Sequence, residues 1–123
     1  MILEPGVRVL IAHRRLYEGD HMRFFTGVVE GYEAGIARVT GHTWLRDGYS
    51  GAFKRKDDTR TKIVSLMSGT LIVYQLPSTI DLASLRVESR NADVHLVDRA
   101  GFRMDLTEGV LHGGSQLADR YAS

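Results

Sequence analysis

The sequence predicts an all-β fold: a small barrel or two-sheet roll of about eight mostly antiparallel strands, with little helix. Three observations carry that expectation. Residues 22–45 hold two long runs rich in β-branched and aromatic side chains, separated by Glu33, Ala34 and Gly35. Shorter apolar runs recur along the rest of the chain, punctuated by glycine and polar residues. Only residues 78–84 and 115–122 leave room for short helical pieces.

The chain starts with a turn signal at Pro5 and Gly6, followed by a strand over 7–12 with Val7, Val9 and Ile11 on one face. A polar connection over 13–21 leads into the central hairpin. There Gly35 suits a tight reversal because it takes positive φ at little cost. Neither hairpin strand alternates cleanly. Phe24 and Val28 fall on one face, Phe25 and Val29 on the other. Such strands are central in a closed barrel, strongly twisted, or covered by a second surface. Gly27, Gly31 and Gly41 interrupt the runs, as bends, bulges or close backbone approaches do.

Residues 47–61 carry no strand or helix period and read as a long, mobile, charged loop. Runs at 62–67 and 70–76 flank Ser68 and Gly69, a hairpin signal. Residues 78–84 suit one helical turn capped by Ser78 or Thr79, before a strand resumes at 85–88. A last hairpin pairs 93–97 with 102–106 around a corner where Gly101 favours the left-handed region. The tail 115–123 reads as a short helix or a frayed end.

With 123 residues and no linker or repeat, residues 1–123 form a single β domain. A formal net charge of +1 gives no global attraction to nucleic acid or membrane, so any such case must be local. The chain has no cysteine, hence no disulfide frame and no thiolate site. No run approaches the roughly 18 to 20 apolar residues of a spanning helix. Residues 1–6 break before a signal-peptide core develops. These features predict a soluble, cytoplasmic protein without a membrane partner.

The two-faced strands suggest that another copy covers part of the apolar surface, predicting a homo-oligomer. The sequence is read first as a non-enzymatic binding or assembly module of this kind, without cofactor. The alternative is a small barrel that binds single-stranded nucleic acid. Its site would be Lys54, Arg55, Lys56, Arg60 and Lys62 for phosphates, with Tyr49 and Phe53 stacking on bases. Asp57 and Asp58 partly neutralise that cluster, and solvated charge is its plainer explanation. His13, Arg14 and Arg15 form a second small basic cluster, read as partners for carboxylates across a dimer.

A second alternative is a small enzyme with a site near Asp20, His21 and His42. His13, His21, His42, His95 and His112 show no metal-ligand spacing, so no metal is expected. The serines lack a nucleophile elbow, and no phosphate-binding glycine loop is present. Two segments, 25–29 (FTGVV) and 67–72 (MSGTLI), resemble the signature segments of Sm-like RNA-binding rings. That resemblance implies RNA binding. The chain departs from the family in lacking an initial helix pattern, in having no Asn within 30–38, and in placing Ser68 where an arginine is expected.

Overall fold

The computed structural model describes residues 2–13, 23–47, 49–90 and 93–106. Its strands are β1 (Arg8–His13), β2 (Arg23–Glu33), β3 (Ile36–Arg46), β4 (Phe53–Arg55), β5 (Arg60–Ser65), β6 (Leu71–Gln75), β7 (Arg86–Arg90), β8 (Asp93–Val97) and β9 (Arg103–Asp105). All ladders are antiparallel and lie in two sheets. Among the described residues there is no α-helix, only one 3-10 turn at Leu82–Ser84, and no helix long and apolar enough to cross a membrane. The predicted all-β class holds. The 115–123 tail lies outside the described residues.

The larger sheet runs β4-β3-β2-β1-β6, with β5 beside the first half of β3. Its spine is the predicted hairpin. Ala34 and Gly35 both take positive φ (49° and 83°) between the paired residues Glu33 and Ile36, the geometry of a two-residue turn that matches strand twist. The register slips between Val29 and Gly31, the bulge that an interior glycine suggests. Gly27 faces Gly41 across the ladder. A Cβ on Gly41 would stand 1.8 Å from the Thr26 carbonyl oxygen, so only glycine permits this close approach.

These features curl the sheet. β5 and β6 lie at opposite margins, yet Val64 and Leu66 from one side and Leu71 and Val73 from the other pack on the same interior cluster of Val9, Ile11, Phe25, Val29, Ala37 and Val39. No ladder joins β5 to β6 among the described residues, so the sheet is not closed by hydrogen bonds. The hairpin predicted around Ser68 and Gly69 is therefore corrected. Each strand instead pairs with a free edge already present: β5 with β3 and β6 with β1. The connection crosses the end of the curl, where the Leu66 N–H donates to the Gly35 carbonyl at 2.8 Å.

The second sheet, β7-β8-β9, packs on the outside of the first. Leu10 and Ala12 of β1, Phe24 of β2 and Trp44 of β3 join Leu85, Val87, Val94 and Leu96 in a second core cluster. Adjacent residues of one strand thus serve two cores, which explains the apolar pattern on both faces. The covering surface belongs to the same chain, so the two-faced strands need no second copy. The Asp98 Oδ1 accepts from the N–H groups of Ala100 and Phe102, and Gly101 takes φ 97°, closing the predicted β8–β9 corner. The 3-10 turn is capped by Asp81, whose Oδ1 accepts from the Ala83 N–H at 3.0 Å, not by Ser78 or Thr79.

Residues 47–61 are not one loop. Phe53 is buried and its ring centroid lies 5.4 Å from that of Phe24, anchoring β4 on Trp44, Leu45 and Arg46. A single aromatic side chain pulls the charged segment onto the sheet, and period arguments over a three-residue strand cannot register it.

Candidate functional site

Strand parity builds the site. Val9 and Ile11 of β1 and Phe25 of β2 point into the curl. The next residues of the same parity are His13 and Arg23, register partners at the end of the β1–β2 ladder. On β3 the inward face continues past Val39 and Gly41 to Thr43 and Leu45, and on β5 Lys62 and Arg60 pair with Val39 and Gly41. The apolar interior therefore gives way at one end to a cationic mouth. It encloses about 230 Å³, and His13, Arg23, Lys56, Arg60 and Lys62 line it.

The charges crowd one another. Burial, then the Arg23 and Arg60 charges, hold the Lys62 ammonium below its ordinary pKa. Its Nζ sits 4.7 Å from the Phe25 ring centroid, where the π face partly replaces lost hydration. Burial, then Arg23 and Lys62, lower His13 and favour its neutral imidazole. Asp58 answers one of these charges, accepting from Arg60 Nε at 2.7 Å, and that hydrogen bond holds its carboxyl below the usual range. Among the described residues no other ion pair reaches the cluster. Among the described residues, like charge at this rim outnumbers its counter-charge, an arrangement that an anion relieves.

The structure sorts the sequence-predicted residues into several places. Lys56, Arg60 and Lys62 converge on the mouth. Lys54, register partner of Leu45, lies on the mouth's side of β4 but does not line the mouth and pairs with Asp47 at 3.1 Å, and Asp47 is held low first by the Tyr49 N–H and then by Lys54. Arg55 lies on the opposite face of β4, its Nη1 donating to the Ala83 carbonyl at 3.5 Å. Tyr49 is fully exposed in the β3–β4 connection. Phe53 is 6% exposed, so the stacking role expected of it is corrected: its ring is core.

His13 joins the first basic cluster in space, while Arg14 and Arg15 lie outside the described residues. Arg23 carries no clustering signal in the sequence, where it stands alone before Phe24. Its signal was the parity shared with Phe25, readable once the β1–β2 register is known. Of the Asp20, His21 and His42 constellation, the first two lie outside the described residues. His42 Nε2 stands 3.3 Å from the Thr59 hydroxyl. No three His, Asp or Glu side chains converge to hold a metal ion among the described residues.

No family model matches the chain, and neither a curated protein nor a solved structure matches it.

Proposed function

We propose that this protein is a non-enzymatic binding module whose cationic mouth takes a phosphate-bearing anion. The observation that supports this reading is the gathering of Arg23, Lys56, Arg60 and Lys62 around His13 at the open end of an apolar interior. Even with Asp58 paired to Arg60, the cations from β2, β5 and the β4–β5 connection exceed what one monoanion needs, so a phosphodiester chain is the favoured form of ligand. The bases of a single strand would find little to stack on in the mouth itself, because Phe53 is core and Lys62 occupies the Phe25 face. Contacts to the backbone dominate, and sequence preference is expected to be weak.

Labelled oligo-dT tests the reading. Affinity should fall as salt rises, through counterion release, and Arg60→Glu with Lys62→Glu should weaken binding on the order of 100-fold while flattening the salt slope by about 2. A phosphodiester does not titrate near neutrality, so the pH profile isolates His13. Bound phosphate offsets the Arg23 and Lys62 charges that disfavour imidazolium, so binding takes up a proton. Affinity should therefore rise as pH falls toward the lowered pKa of His13 in the free protein. Binding that ignores salt, or an unchanged affinity in the doubly reversed variant, would remove the mouth as the site.

A second reading, assembly of copies, has one observation in its favour. Ile63 and Met67 are 69% and 80% exposed, and among the described residues β5 pairs with β3 on one edge only. An edge strand beside exposed apolar side chains invites pairing. Light scattering across micromolar concentrations decides it: the assembly reading expects a mass above 13.7 kDa per particle that Ile63→Lys returns to the monomer value. A monomer mass throughout for the native sequence ends that reading.

A further inference from the structure

A second cleft lies on the other face of the β3–β4 ladder. Trp44 and Arg55 are register partners there, pointing away from the mouth toward the smaller sheet. The cleft opens between the two sheets, encloses about 600 Å³, and is also lined by Leu85, Arg86, Arg99 and Asp57. Its volume lies within the span of small-molecule sites, and such sites favour the seams between packed layers.

Its chemistry is two-sided. Trp44 and Leu85, both nearly buried, give it an apolar floor at the edge of the core. The rim carries three guanidinium groups from separate places: β4, β7, and the β8–β9 corner. Their present partners are thin. Among the described residues Arg55 reaches only a backbone carbonyl, at 3.5 Å. Arg86 shares Glu88 with Arg103, at 3.6 and 3.4 Å. Arg99 makes no ion pair among the described residues. Three guanidinium groups against the Asp57 carboxylate leave two positive charges over an apolar floor. Planar forks of this kind match phosphate oxygens two at a time.

We infer that this inter-sheet cleft is a binding site, distinct from the mouth, for a phosphate monoester carried on an aromatic body. The dianionic head meets Arg55, Arg86 and Arg99, and the ring covers Trp44 and Leu85. A phosphorylated aromatic side chain and a nucleoside monophosphate share that chemistry.

Trp44 is the only tryptophan in the chain, so its emission reports this cleft alone. Calorimetry and Trp44 emission are followed together during titration with phenyl phosphate, inorganic phosphate, adenosine monophosphate and phosphotyrosine. Phenyl phosphate should bind saturably, shift the emission, and bind at least several-fold more tightly than inorganic phosphate. Tighter binding of adenosine monophosphate or of phosphotyrosine identifies which source the site prefers. Arg86→Ala with Arg99→Ala, both exposed and therefore tolerated by the fold, should weaken phenyl phosphate at least tenfold with an unchanged far-ultraviolet spectrum. Arg60→Glu with Lys62→Glu, which disables the mouth, should leave it unaffected. No saturable binding, or binding that survives loss of Arg86 and Arg99, overturns the inference. Loss of binding only in the mouth variant does so as well, by assigning the anion to the other site.

Discussion

Gly41→Ala should remove most of the folding stability, more than about 3 kcal/mol, in the range reserved for severe steric conflict. A Cβ at this position would meet the Thr26 carbonyl oxygen at 1.8 Å, the Thr26 carbonyl carbon at 2.7 Å and Gly27 Cα at 2.6 Å. All three are backbone atoms of the paired strand and cannot swing aside as the end of a side chain would. Relief requires β2 and β3 to separate where Gly27 and Gly41 face each other. That separation would open the interior cluster beneath, since Phe25, Val29 and Val39 flank this crossing. Gly27→Ala meets the same obstacle from the other side, 2.3 Å from the Thr40 oxygen. Gly31→Ala is the control. Gly31 lies in β2 with Gly27, beside the bulge, but a Cβ there meets nothing within 4 Å among the described residues. It should change stability by no more than about 1 kcal/mol. Urea midpoints of the three variants decide the matter: similar midpoints for Gly31→Ala and Gly41→Ala would mean that the close crossing does not hold the curl.

The same crossing shows why part of the fold was legible in the sequence and part was not. The hairpin between β2 and β3 is a local event, and Gly35 with its flanking β-branched residues announces it. The apolar character of adjacent residues, Phe24 with Phe25, announces that both faces of β2 are covered. What covers the outer face is not local: the two-faced pattern suggests a second copy, and β7, β8 and β9 of the same chain lie there. The run at 70–76 met the same obstacle. Its turn chemistry suited a hairpin with 62–67, but the curl offers β6 the free edge of β1, and long-range pairing overrode the local signal. The cationic mouth was half legible. Lys56, Arg60 and Lys62 were singled out by clustering along the chain, which finds charge but not direction. Lys54 and Arg55, inside the same run, turn to Asp47 and to the inter-sheet cleft. Arg23 and His13 enter only through strand register, ten residues apart in sequence and paired in space.

Trp44→Ala should cost about 3 to 5 kcal/mol, as removal of a large core side chain does. Trp44 is 4% exposed and sits where the two sheets meet, beside Phe24, Phe53 and Leu85. Its loss would leave a void that neither sheet can fill alone. The ring is also tied to its place: Trp44 Nε1–H donates to Thr26 Oγ1 at 2.9 Å, and Thr26 is itself 3% exposed. That bond separates polar from apolar contributions. Thr26→Val in the native background leaves the indole N–H buried without its partner, at about 1 to 3 kcal/mol. Trp44→Phe strands the Thr26 hydroxyl and loses part of the ring volume. In the double variant neither group has a polar atom to satisfy, so the second substitution should cost much less than it does alone. The expected coupling is about 1 kcal/mol or more, as for residues in direct contact. Urea denaturation of the four proteins measures it. Additive costs would show that the hydrogen bond contributes nothing beyond packing, and that the indole is held by the walls of the core alone.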